Sequence, residues 1–184
     1  MDCKENIFEV VTNFAVNLDP EGFRGLVSSE ARELLTQTLK HIRAHEGSIW
    51  IVDKEKDQLV ICHNTGPKAG AMTNVIIQPL STGLVSECFK EGKSLHHKGL
   101  FRHRKRSDVV DTELEQKTHQ QISVPFHISD KICGVISAVQ LVDDEQRENV
   151  NWGFKDEDVA LLDSVSSAIG KLVEYKWLVN SGTI

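Results

Sequence analysis

Two β-rich runs separated by three residues constrain this chain most. His119–Ile128 and Ile132–Val142 are dense in Val, Ile and Phe, residues that suit a pleated and covered surface. Only Ser129, Asp130 and Lys131 lie between them, and Ser and Asp bend a chain by bonding their own backbone. The pattern predicts an antiparallel hairpin. The second run is apolar at both odd and even positions over most of its length. Such a strand belongs in the middle of a sheet covered on both faces.

The remaining elements arrange themselves around that hairpin. Ile7, Val10, Val11, Phe14 and Leu18 recur at helical spacing, with Pro20 and Gly22 as a stop. Ser28 or Ser29 caps a second helix that runs to about His45, with Leu34, Leu35, Thr38, Leu39 and Ile42 on one face. A second hairpin pairs Ser48–Asp53 with Gln58–His63. Asn64–Thr73 reads as a loop, Val75–Gln78 as a short strand, Thr82–Lys90 as a short helix and Lys93–His96 as a further strand. A long closing helix runs from Asp156 to Val179. Its opening acids suit the positive helix end, and Leu162, Val165, Ile169 and Leu172 form its stripe. Helices framing several short strands predict an α+β fold, with a mostly antiparallel sheet and helices on its faces.

Between the fourth strand and the central hairpin lies a polar stretch, His96–Lys117, carrying His96, His97, Lys98, Arg102, His103, Arg104, Lys105 and Arg106. A connection of that length is the kind that covers a functional site.

At 184 residues and 40% hydrophobic content the chain is long enough for one well-covered core. No apolar run approaches the roughly 20 residues of a membrane span. The first residues lack the basic-then-apolar order of a signal peptide, which places the expected location in the cytoplasm. A net charge of −6 argues against a whole-chain nucleic-acid footprint. Cys3, Cys62, Cys88 and Cys133 are widely spaced and form no CxxC pair, so neither a disulfide framework nor a zinc site is expected. Adjacent His96 and His97 point to opposite faces of a strand, which disfavours joint chelation. No nucleophile–base order, phosphate loop or paired-acid motif stands out, and the expected chain is not an enzyme.

The ordered landmarks resemble a GAF domain over about Ser29 to Glu174. They are the entry helix into Ser48-Ile-Trp-Ile-Val-Asp, the run Ile77 to Leu95 with Gly83 before a helix, Ile122-Ser-Val-Pro-Phe, Lys131-Ile-Cys-Gly-Val-Ile, and Phe154 four residues before Asp158. The resemblance implies a GAF-like central six-stranded sheet and a long C-terminal helix. It sets residues 1–28 aside as a helical extension, 29–174 as the domain and 175–184 as the end of the closing helix and a tail.

A finer similarity is to the GAF domains of cyclic-nucleotide phosphodiesterases and adenylyl cyclases. Asp111, Lys117, Thr118, Pro125, Phe154 and Asp158 match their pattern. Glu115 stands where those domains have Gly, and Asp143 and Asp144 where they have Asn and Lys.

The implied function is small-molecule sensing in signal transduction, with a nucleotide-like ligand, acting on an attached or separate output domain. The alternative is a GAF module that serves mainly dimerisation over a vestigial pocket. The ligand-binding expectation names Trp50, Phe101, Arg102, Arg104, Lys105, Asp111, Lys117, Thr118, Ser123 and Gln140. Arg supplies bidentate donors for phosphate or carboxylate. A covalent bilin needs a thiol in or near the cover, and none lies between Cys88 and Cys133. A GAF-type free-methionine-sulfoxide reductase needs converging thiols, a grouping these four do not show. A homodimer through the terminal helices is expected, on Ile7, Val10, Phe14, Leu162, Val165, Ile169 and Leu172.

Overall fold

The computed structural model describes residues 3–100, 117–142 and 152–184. Its elements in chain order are helix α1 (Cys3–Asn17), α2 (Pro20–Phe23), α3 (Ser29–His41), strands β1 (Glu46–Asp53) and β2 (Gln58–Asn64), α4 (Ala69–Met72), β3 (Ile77–Pro79), α5 (Leu84–Glu91), β4 (Leu95–Lys98), β5 (Thr118–Ile128), β6 (Lys131–Leu141) and α6 (Asp156–Asn180). The described strands form one sheet in the order β3-β2-β1-β6-β5-β4, and every neighbouring pair is antiparallel. The expected α+β class and the central hairpin are both present. β5 and β6 run side by side from Thr118 opposite Leu141 to Ile128 opposite Lys131.

Residue parity sends each strand's side chains to two cores. On one face Ile49, Ile51, Ile122, Val124, Phe126, Ile136 and Ala138 meet Val11 and Ala15 of α1, Phe23 of α2, Leu35 and Leu39 of α3, and Leu162 and Ile169 of α6. On the other, Trp50, Val52, Leu59, Ile61 and Val135 meet Met72 of α4 and Val85 and Cys88 of α5. Helices α3 and α6 thus share one face, as the pattern predicts. β6 is covered on both sides, which is why its run is apolar throughout.

Local chemistry sets the boundaries. The Ser28 hydroxyl accepts from Ala31 N at 3.2 Å and opens α3. Asp19 accepts from Gly22 N at 2.6 Å, so Pro20 opens α2 at a position where its missing N–H is no loss. Pro20 and Gly22, read above as a stop, are therefore themselves helical. The stretch read as a loop after Asn64 contains α4, and β3 begins at Ile77 instead of Val75, with Val75 N and Ile76 N still bonded back to Met72 O.

Helix α6 sits close on β5 because its facing residues are small. The Ser166 hydroxyl donates to Pro125 O at 2.8 Å, and a β-carbon on Gly170 would run into His127 O. Glu174 accepts from Ser129 N in the β5–β6 turn. The helix is thereby fastened along the length of the central hairpin.

Part of the stripe expected to drive dimerisation is used inside one chain. Leu162, Val165 and Ile169 are buried against the sheet, and Phe14 stacks on Trp177 with ring centres 4.3 Å apart. The large apolar side chains left exposed on α1 and α6 are Phe8, Val16, Tyr175 and Val179.

Candidate functional site

The face of the sheet opposite α6 carries a cavity of about 40 Å³, inside a depression of about 560 Å³ counting space open to solvent. β1 builds its floor by alternation: Glu46, Ser48 and Trp50 point the same way. Ser137 and Val139 of β6 and Thr118 and Gln121 of β5 continue the floor, while Met72, Gln78, Leu84 and Val85 form the opposite wall.

Hydrogen bonds fix this wall. The Trp50 indole N–H donates to the Ser137 hydroxyl at 3.1 Å. Asn64 donates its Nδ2 to Ser48 at 2.9 Å and accepts from Gly66 N at 2.7 Å. Gly47 N donates to Thr65 Oγ1 at 2.9 Å, and Thr65 N returns a bond to Gly47 O at 3.0 Å. Together these fold the loop after β2 back over Glu46. Gly66 then lies against the Glu46 carboxyl group so closely that a β-carbon there would strike it. Gln78 donates to Thr82 O at 2.9 Å and packs on Gly83, whose φ of +89° starts α5. Gln121, also in the lining, donates its amide nitrogen to Ser123 at 2.9 Å.

Glu46, 4% exposed, is the one charged side chain among the described lining residues; none of these is Lys, Arg or His. The described thiols stand elsewhere. Burial pushes Cys62 and Cys88 up to about 12 and Cys133 to about 11, and none of the three lines the cavity. A buried, protonated thiol is a poor nucleophile.

Of the residues expected from sequence, Trp50 and Thr118 line the cavity. Ser123 is fully buried beside it, under Gln121 and opposite Ser137. Lys117 stands just before β5, half-buried, and is not part of the wall. Gln140 faces the other way. It shares a face with Ile136 and Ala138, and its Nε2 donates to Arg43 O after α3 at 3.2 Å, so it cannot reach this cavity. Phe101, Arg102, Arg104, Lys105 and Asp111 lie outside the described residues, as do Glu115, Asp143 and Asp144. Two motif positions have structural work. Asp158 accepts from Lys155 N at 2.8 Å to begin α6, and the ring of Phe154 is buried in the core.

Glu46, Ser48, Asn64, Gln78, Gln121 and Ser137 were not singled out by sequence. For three of them a signal existed: Glu46 and Ser48 are four and two residues from Trp50, and Gln121 is two from Ser123. Strand parity puts each pair on one face.

The sequence profile of the family described as GAF domain matches residues 28–174. No curated protein matches the chain. Among solved structures, the chain is similar to the GAF domain of a phosphoenolpyruvate-protein phosphotransferase from Acinetobacter (12% identity, 97% of both chains, TM-score 0.60). It is also similar to the GAF-B domain of DevS from Mycobacterium smegmatis (14% identity, 90% of this chain and 97% of that one, TM-score 0.58). A third likeness is to a free methionine-R-sulfoxide reductase from Neisseria meningitidis, solved with its substrate (17% identity, 94% and 87%, TM-score 0.60). At these identities the likenesses speak for the fold.

Proposed function

This chain belongs to the GAF domain family, a common sensory and regulatory fold, and from that premise we propose that it is a small-molecule-sensing regulatory domain and not an enzyme. The observation that carries the reading is the cavity itself, a hollow walled by Trp50, Met72, Leu84 and Val85 with convergent polar groups held by their own hydrogen bonds. The β5–β6 hairpin continues its floor beside β1, and α6 is fastened to that same hairpin at Pro125, His127 and Ser129. An occupant that shifts the floor therefore biases the helix, through which an attached or separate output domain would be addressed. The remoteness and high pKa of the described thiols support binding over thiol redox chemistry. A cytoplasmic location fits a chain in which no described helix is long and apolar enough to cross a membrane.

A nucleotide-like ligand remains the first class to try, with Trp50 and Thr118 in its site. The test is mass spectrometry of small molecules released on denaturing the purified protein, together with calorimetry against cyclic AMP and cyclic GMP. A stoichiometric released compound, or binding that Thr118→Val weakens, supports sensing. An empty protein that binds none of a broad metabolite set removes it.

The second reading is a dimerisation module. It is favoured by the small size of the cavity and by Phe8, Tyr175 and Val179 standing exposed on the terminal helices.

A further inference from the structure

We infer that the floor of the cavity receives the oxygen of a neutral carbonyl group, an amide, urea or lactam, between the hydroxyls of Ser48 and Ser137, and that these two serines determine this specificity. The inference rests on the ligand-sensing reading and names the ligand chemistry of that site.

The bonds around the two serines leave each with an uncommitted hydrogen. The indole N–H of Trp50 can only donate, so Ser137 Oγ is the acceptor of that 3.1 Å bond. Asn64 Oδ1 accepts from Gly66 N, which fixes the amide's orientation and turns Nδ2 toward Ser48. Ser48 Oγ is therefore an acceptor as well. Among the described residues neither hydroxyl finds an acceptor for its own hydrogen, and neither donates to the other. Ser48 and Ser137 are 6% and 4% exposed and both line the cavity, so these hydrogens are free to turn into it. A buried donor without an acceptor is unfavourable, and an occupant that supplies one removes the penalty.

The strand register puts the two donors together. Ser48 of β1 stands directly opposite Ser137 of β6. β-Carbons so paired are about 4.5–5.5 Å apart, close enough for one oxygen above their midpoint to accept from both. A carbonyl oxygen has the two lone pairs this requires. The rest of the wall serves either polarity. Asn64 and Gln121 each keep a second amide N–H, Gln78 and Gln121 keep carbonyl oxygens, and Glu46 and Thr118 already hold interactions of their own. Charge separates the possible acceptors. No described lining side chain is Lys, Arg or His, and Glu46 lies two residues from Ser48 on the same face, so a neutral carbonyl is favoured over a carboxylate or phosphate.

The size agrees. About 40 Å³ exceeds the roughly 10–15 Å³ that one water needs, so a carbonyl and its nearest atoms enter. Trp50, Met72, Leu84 and Val85 offer apolar surface to the part that follows.

The test uses the full 184-residue chain with three probes of one skeleton: benzamide, benzoate and benzamidine. Binding is read by calorimetry and by chemical-shift changes at Ser48 and Ser137. Benzamide should bind, and the anion and the donor-only cation should bind at least about tenfold more weakly. Ser48→Ala and Ser137→Ala should each weaken benzamide about threefold to tenfold, the worth of one neutral hydrogen bond, with the fold intact by circular dichroism. The comparison of the three probes needs no variant and decides the matter if neither variant folds. Benzoate or benzamidine binding as tightly as benzamide, benzamide binding that leaves the Ser48 and Ser137 shifts unmoved, or binding indifferent to both substitutions overturns the inference while the sensing reading stands. Silence from all three probes at millimolar concentration overturns it too. The sensing reading then depends on the released-compound measurement alone.

Discussion

Gly170 of α6 lies against the carbonyl oxygen of His127 in β5, with no space for a side chain between them. That contact lets a 25-residue helix settle onto the central hairpin. Gly170→Ala should therefore destabilise the fold by about 1–3 kcal/mol, the usual cost of overpacking a fitted seam, despite alanine's better helix propensity. A urea titration measures it. A stabilised variant would show that the seam has slack.

Trp50 donates to Ser137 across the floor of the cavity, and Trp50→Phe deletes the donor and one of the two fused rings. The expected loss is about 1.5–4 kcal/mol, since Ser137 is left buried with one partner fewer and space opens where the second ring packed. The same variant should lose any ligand-induced change in tryptophan emission, which separates Trp50 from Trp152 and Trp177. Emission that still responds fully would place the occupant away from this floor.

The buried thiols set an alkaline limit. Cys62 and Cys88 are raised to about 12 and Cys133 to about 11, whereas unfolded thiols titrate near 9.0. Between those values the unfolded chain binds fewer protons than the folded one, so stability is complete below about pH 9 and falls as pH rises toward 12. Each thiol contributes a slope of up to about 1.4 kcal/mol per pH unit. Urea midpoints at pH 8 and pH 10.5 should show this, and Cys88→Ala should lessen the fall. On the acid side, burial and then Arg32 hold His63 below 6.5. The unfolded chain takes up that proton first, so stability present above pH 6.5 declines as pH falls, and His63→Phe should reduce the decline.

Dimer formation is expected to use what the monomer leaves uncovered. With Leu162, Val165 and Ile169 buried, the available apolar surface on α1 and α6 includes Phe8 and Tyr175, 59% and 62% exposed. Light scattering should give twice 20.6 kDa at micromolar concentration, and Phe8→Ser with Tyr175→Ser should give 20.6 kDa. A parent that is monomeric throughout defeats the proposal.

The sheet was legible because its signals are local. Apolar runs marked β5 and β6, the Ser28–Ser29 pair marked the start of α3, and the acids at Asp156–Asp158 marked that of α6. The site was only half legible because it depends on which face each residue takes. Gln140 was assigned to the cavity as a polar residue near its floor, yet it shares parity with Ala138 and belongs to the α3 side. Glu46 was hidden by its position at a strand's first residue, where an acid ordinarily reads as the end of a loop. Only the fold of Asn64–Gly66 over it reveals that it is buried. Pro20 misled for the same reason: helix stop and helix start use one residue, and Asp19 decides between them.

The entry to α6 depends on one carboxamide. Gln120 Oε1 accepts from Phe154 N at 3.1 Å, which fixes the amide's orientation, and so the His96 Nε2 at 2.8 Å must carry a proton and donate to it. Its Nε2 lies 3.3 Å from His119 Nε2, which in turn is 3.1 Å from Trp152 O. Gly153 passes so close to this amide that a β-carbon would strike it. Gln120→Leu keeps the volume and removes the bonds to Phe154, His96 and His119 at once. It should cost about 1–3 kcal/mol, the penalty for stranding buried polar groups. It should also act locally, with faster amide exchange at Phe154 and in the first turn of α6 while the β1–β2 hairpin keeps its protection. Gln120→Glu supplies the acceptor again and should restore protection at Phe154. Uniform loss of protection across the sheet would mean that Gln120 supports the whole core and does not specifically position the helix.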